Sequence, residues 1–174
     1  MIAKDYFNKV TNSGEDFLQA FIDLLEKRKI AFCVIGGLAV NVYAEPVVSL
    51  DLDVVIVADK IDELLAALPG HFNIARYANS INITESASDL RIQIQTDSRY
   101  QHFISKASYK NVLGYKLSVA AVEDVLQGKI WAALDKGRRP SKRQKDLADI
   151  LRLVEVHNHL ISLIPETLRK KLDI

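Results

Sequence analysis

The stretch GGLAVNVYAEPVVSLDLDVVI, residues 36 to 56, restricts the fold more than any other part of the chain. Two glycines precede a short apolar run that Pro46 stops, and Asp51 and Asp53 then stand where an apolar strand begins. Strand side chains alternate, so the two acids share one face, with Cα atoms about 6.6 Å apart. Val55 and Val57 continue that face as apolar residues, which puts the acids at the rim of a packed region. Two carboxylates so placed repel, and the strand start desolvates both. A hard divalent ion removes both penalties, and Mg²⁺ commonly takes one or two carboxylates together with substrate phosphates.

The glycines fit the same picture. A turn that leads into a helix offers free N–H groups and a positive dipole end, and glycine lets a phosphate approach closely. Neither the dinucleotide pattern G-x-G-x-x-G nor the P-loop is present. A glycine pair alone is a tight turn, and a D-x-D alone is often a solvated strand end. The order strand, glycine turn, helix, D-x-D strand is what makes the combination specific.

Around this unit, Ser13 with Asp16 opens a helical pattern through Phe17, Phe21, Leu24 and Leu25 to about Arg28. AFCVI reads as a buried strand, LAVNVYA as a short helix, residues 50 to 57 as strand, and IDELLAAL as a helix capped by Asp59. HFNIARY, SINIT and LRIQIQT are further strands, the last with Leu90, Ile92 and Ile94 on one face and Arg91, Gln93 and Gln95 on the other. Residues 98 to 113 give no clear pattern, and YKLSVA is a last short strand. Helices follow over residues 122 to 134, after an S-x-x-Q capping box at Ser141 and Gln144, and from Pro165. The expectation is an α/β protein of one domain, residues 1 to 174, with its core over about 14–117 and a helical part over about 118–174.

Composition excludes several classes. A formal net charge of +1 gives no global field toward nucleic acid or membrane, so any basic site must be local. The single cysteine, Cys33, excludes a disulfide framework and a multi-cysteine metal site, and reads as a buried small hydrophobe. MIAKDYFNKV does not read as a signal peptide, and no apolar run has membrane-spanning length. A cytoplasmic, reduced protein without a membrane partner is expected.

Gly36-Gly37, thirteen intervening residues, then Asp51-Leu52-Asp53 and an apolar strand resemble the signature of the nucleotidyltransferase superfamily, the DNA polymerase beta-like fold. The segment RRPSKRQKDLADILRL is similar to the K-D-x-x-D segment of a small bacterial branch that includes abortive-infection toxin nucleotidyltransferases, and Lys129 in GKIWAAL resembles that branch's helix lysine. The resemblance spans roughly residues 30 to 153. It implies a mixed sheet flanked by helices and transfer of a nucleotidyl group from a nucleoside triphosphate to an acceptor hydroxyl on RNA or protein. Asp51 and Asp53 would be the catalytic pair holding Mg²⁺ (or Mn²⁺), and Gly36, Gly37, Ser49, Lys129 and Lys145 would bind the nucleotide. A homo-oligomer or an antitoxin-type protein partner is compatible with that branch.

Two positions depart from the pattern. Val47 stands where the branch usually has arginine. The superfamily also has a third carboxylate on a later strand, and LRIQIQTD offers Gln93 there, with Asp97 as the next acid. A second reading therefore stands beside the enzyme: a degenerate nucleotidyltransferase-fold binding or regulatory protein of a toxin–antitoxin or defence system. An acid beside Asp51 and Asp53 favours the enzyme, and Gln93 there favours the binder.

KGRRPSKRQK, residues 136 to 145, carries six basic residues and no acid. Lys142 with Asp146 and Lys145 with Asp149 are spaced as i,i+4 ion pairs, each worth about 0.2–0.5 kcal/mol. Cations at a helix start oppose its dipole, at a cost of up to about 1 kcal/mol each, so a phosphate or RNA backbone is the alternative partner. Gln93, Gln95 and Tyr100 could line a base pocket. His157 and His159, two apart on an expected helix, face away from each other and make a poor metal pair.

Overall fold

The computed structural model describes residues 3–13 and 16–174, with Ala3 in backbone only. In chain order the elements are α1 (Ala3–Val10), α2 (Phe17–Lys27), β1 (Phe32–Ile35), α3 (Gly36–Tyr43), β2 (Asp51–Ile56), α4 (Ile61–Ala67) and β3 (Phe72–Arg76). They continue with β4 (Ser80–Glu85), β5 (Arg91–Gln95), β6 (Ser108–Val112), β7 (Tyr115–Val119), α5 (Val122–Leu134), α6 (Pro140–Val156) and α7 (Glu166–Leu172).

The seven strands form one mixed sheet in the order β3-β4-β5-β2-β1-β7-β6. β2 runs parallel to β5 and antiparallel to β1, while β1 runs parallel to β7. β1 and the second half of β2 are apolar because helices and loops cover both faces there. All four residues of β1 are buried, and so are Val54, Val55 and Ile56 of β2. Only the first half of β2 alternates, with Asp51 and Asp53 partly exposed and Leu52 buried between them. One cluster of buried apolar residues runs from Phe7 to Leu168, so α5 and α6 share the core of the sheet.

Several boundaries differ from the sequence reading, each for a local reason. Asp16, not Ser13, caps α2, accepting from the Gln19 N–H at 3.0 Å. Ser13 instead bonds the hydroxyls of Thr11 and Ser88. Asp59 falls in a 3₁₀ turn, Ala58–Lys60, and α4 starts after Lys60 with no side-chain cap. The Ser141/Gln144 capping box is absent: α6 starts earlier, with Pro140 in its first turn and Arg139 before it. Proline's fixed φ suits the first helical turn, where its missing N–H is no loss. The unread segment becomes a 3₁₀ run, Ser98–Lys106, followed by β6. α6 ends at Val156, so His157 is a C-cap residue meeting the Tyr43 carbonyl at 2.9 Å, and His159 lies in a 3₁₀ turn. Among the described residues no helix is long and apolar enough to cross a membrane.

Candidate functional site

β1 ends at Ile35, and the chain turns directly into α3 through Gly36 at φ +68°. That left-handed backbone favours glycine, and space requires it as well: a Cβ on Gly36 would lie 2.8 Å from the Asp53 Cβ and Cγ. Gly37 has ordinary room, with Ser49 Oγ at 3.6 Å from where a Cβ would be. Ser49 is buried, and its Oγ accepts from the Asp51 N–H at 3.3 Å, which fixes the entry into β2. The glycine turn and the D-x-D are thus packed against each other.

A groove of 600 Å³ opens over this end of the sheet. Gly37, Ser49, Asp51 and Asp53 form one side of it. The outward residues of β5 and β4, Arg91, Gln93, Asn82 and Ser80, continue the floor to an exposed Tyr77. Lys129 from α5 and Arg138, Arg139, Lys142, Lys145 and Asp146 around the start of α6 close the other side. Beneath it lies a smaller cavity of 80 Å³, lined by Gly36, Tyr100 and Asp124 together with Asp53 and Gln93 of the groove.

The two aspartates do not share one environment. Asp51 has both oxygens engaged, Oδ1 by Arg91 Nη2 at 2.8 Å and Oδ2 by Lys142 Nζ at 3.4 Å. Asp53 makes no hydrogen bond or ion pair among the described residues. Burial raises its pKa above the ordinary value; Lys129 opposes that shift and the charge of Asp51 adds to it.

Strand register decides what stands beside Asp53. β5 pairs with β2 so that Gln93 is opposite Asp53 and Arg91 opposite Asp51, and Asn82 of β4 comes next to Gln93. The row across the floor is therefore Asp53, Gln93, Asn82: one acid and two amides. The Asn82 Oδ1 is buried without a partner. Asp97 lies beyond β5 as the N-cap of the 3₁₀ run and outside the lining of the groove. It binds its own neighbour, with Arg99 Nη2 at 2.7 Å and Nε at 2.9 Å, and that bonding lowers its pKa.

The helix charges pair differently from their sequence spacing. Lys129, almost fully buried, puts its Nζ 3.1 Å from Asp146 and 2.6 Å from Asp149. Desolvation works to lower its pKa, but the two carboxylates outweigh it and the net shift is upward. Arg138 also binds Asp146, and Arg152 binds Asp149 at 2.7 Å. The expected pairs Lys142–Asp146 and Lys145–Asp149 do not form. The acids sit on the buried face of α6, 1% and 2% exposed, and turn inward to Lys129. Lys142 reaches Asp51 instead, while Lys145 remains exposed on the groove.

Of the residues singled out from sequence, Gly37, Ser49, Asp51, Asp53, Gln93, Lys129 and Lys145 line the one groove, and Gly36 lines the cavity beneath it. Arg91 and Asn82 were missed, and the alternation of RIQIQ and SINIT, which puts both on the outward face of their strands, was the available signal; Arg138 belongs to the basic run already singled out as a phosphate candidate. Among the described residues no group of three or more His, Cys, Asp or Glu could hold a metal. The donor set is two carboxylates, one of them without a partner. It fits a hard ion that brings water and phosphate ligands with it, and does not fit a metal caged by protein alone.

No protein-family model matches the chain, and no curated protein matches its sequence. Solved structures match its fold. The antibiotic-resistance factor ANT(2'')-Ia aligns over 88% of this chain and 90% of its own, with a TM-score of 0.64 at 10% identity. The lincosamide antibiotic adenylyltransferase LnuA, solved with lincomycin, covers 81% of this chain and 98% of its own, with a TM-score of 0.56 at 14% identity. An antigenic nucleotidyltransferase-like protein from Paracoccidioides brasiliensis covers 87% and 76%, with a TM-score of 0.54 at 18% identity. The chain has the nucleotidyltransferase fold, a mixed sheet flanked by helices.

Proposed function

We propose that the groove binds a nucleoside triphosphate as its Mg²⁺ (or Mn²⁺) complex and that its chemistry is nucleotidyl transfer to an acceptor hydroxyl. One observation carries this reading: Asp53, a desolvated carboxylate without a partner, faces a groove whose other wall is basic. Gly36 and Gly37 present the start of α3 to the phosphates without a side chain in the way. Asp51 and Asp53 would hold the ion, which bridges phosphates and offsets developing charge. Arg139 and Lys145, exposed at the start of α6, neutralise the outer phosphates. Lys129 acts from behind, holding Asp146 and Asp149 and so positioning the α6 cations, and its charge also favours ionised Asp53.

ANT(2'')-Ia has been solved with adenylyl-2''-tobramycin and LnuA with lincomycin. This groove has six basic side chains against three acids, which repels a polycationic acceptor and suits a neutral or anionic one, such as RNA or a protein hydroxyl. The register that sets Gln93 beside Asp53 favours the second reading for the transfer step. A neutral amide cannot take the acceptor's proton, so the chain binds the nucleotide and transfers it slowly or not at all.

The test is thermal melting with Mg²⁺ and a non-hydrolysable triphosphate. The wild type should gain stability, and Asp51→Asn with Asp53→Asn should gain none. An equal gain in both proteins would place the nucleotide elsewhere.

A further inference from the structure

The geometry points to Lys142 and Arg91 as an internal counter-ion lock on Asp51, which keeps the carboxylate pair from holding a divalent ion until a triphosphate draws Lys142 away. The inference deepens the nucleotide reading and rests on it only for the release step.

Both oxygens of Asp51 are taken, one by each cation, at 2.8 Å and 3.4 Å. Among the described residues the groove contains no carboxylate that could replace Asp51 beside Asp53, since Asp146 already holds Lys129 and Arg138. A divalent ion arriving alone therefore meets two protein cations at Asp51 and competes with them for its charge.

The two cations are not equivalent. Arg91 is set opposite Asp51 by the β2–β5 register and presents a planar fork. Lys142 approaches from the first turn of α6 on a flexible four-carbon stem, and its contact is the longer one, 3.4 Å against 2.8 Å, while the two side chains are about equally exposed. A long, half-exposed ion pair of this kind is weak and exchanges readily. A cation near a helix N-terminus also opposes the dipole, and a polyanion beside it relieves that conflict. Arg139 and Lys145 flank Lys142 on the groove and bring the triphosphate to it. When the ammonium moves to a phosphate, Asp51 Oδ2 is freed next to the unpartnered Asp53. Ion and triphosphate then bind with positive coupling, and by reciprocity each tightens the other.

The probe is Mn²⁺ alone, read by the electron paramagnetic resonance signal of the free ion, for wild type and Lys142→Met, which keeps the apolar stem. Lys142→Met should bind Mn²⁺ about three- to fivefold more tightly without nucleotide, the size of one exposed ion pair. A non-hydrolysable triphosphate should raise Mn²⁺ affinity more in wild type than in Lys142→Met, because only the wild type has a lock to release. In an Asp51→Asn background Lys142→Met should change nothing. Equal Mn²⁺ affinity of wild type and Lys142→Met would overturn the lock, whatever the nucleotide does. A Lys142→Met protein that binds Mn²⁺ more tightly while wild type ignores the triphosphate would keep the lock and place the failure in the nucleotide reading.

Discussion

The chain carries two aspartate pairs close to one groove, Asp51/Asp53 on β2 and Asp146/Asp149 on α6, and they are compensated in opposite ways. The helix pair is buried, and each of its acids has two cations: Lys129 is shared, Arg138 serves Asp146 and Arg152 serves Asp149. The strand pair is partly exposed, with one acid held by two groove cations, Arg91 and Lys142, and the other by none among the described residues. A buried carboxylate stays ionised only with a permanent partner, whereas one left without a partner at a groove floor either takes up a proton or meets a cation from outside. Four acids of one residue type thus divide into a buried scaffold pair and a candidate site pair by what surrounds them. Arg152 extends the scaffold to the loop before the site: it also reaches Asn41 at 2.8 Å and the Glu45 carbonyl, while Asn41 bonds both the N–H and the carbonyl of Val47.

The widest difference should come from giving the strand pair a third acid. Gln93→Asp adds a base beside Asp53, and general-base help is typically worth about 10²–10⁴-fold. Transfer of labelled nucleotide to RNA or protein, measured for wild type and Gln93→Asp side by side, should rise within that range. Fast transfer by the wild type would show that an amide at Gln93 does not limit the reaction and would move the base role to another group.

Removing the cation that the helix pair shares is the complementary break. Lys129→Met leaves Asp146 and Asp149 buried with one partner each, and breaking a buried pair costs about 3–5 kcal/mol. Denaturant unfolding should show a loss near the lower figure, because Arg138 and Arg152 remain. A loss within the range of surface pairs, about 1 kcal/mol or less, would mean that the two aspartate pairs are not different in kind.

The smallest effect sharpens the contrast through pH. Desolvation holds the Asp53 pKa above its ordinary 3.8, so the folded state disfavours the ionised form. Its penalty on the metal-free fold is fully present above the raised folded value. It disappears as pH falls through that value to below 3.8. The wild type should therefore gain a little stability over that window relative to Asp53→Asn, and lose its response to Mg²⁺ with triphosphate over the same window as Asp53 protonates. A difference between the two proteins that does not change with pH would assign the shift to some other group.

The local order around the site was legible because it rests on short-range rules. Alternation in DLDVVI placed both acids on one face, and the left-handed turn at Gly36 agrees with a glycine pair before a helix. The inner and outer faces of β5 followed from RIQIQ alone. Boundaries failed where two local signals competed: Ser13 and Asp16 for one cap, Ser141 and Pro140 for one helix start. Residues 98 to 113 were illegible because a 3₁₀ run and an edge strand carry neither a 3.6-residue nor a two-residue apolar period.

By itself, the sequence determined which side chains share one face of each strand, since that follows from the chain's own periodicity; that the glycine turn packs on Asp53 depends on the pairing of β1 with β2. Only the tertiary structure decided their partners. Whether Gln93 meets Asp53 depends on the register of two strands some forty residues apart, and a shift by one position would have set an apolar residue there. Whether Lys142 pairs with Asp146 one turn away or with Asp51 on a distant strand depends on which carboxylate is already satisfied. Buried Lys129 claims the helix acids first, because ions removed from water must pair, and the half-buried Lys142 takes the acid that is left.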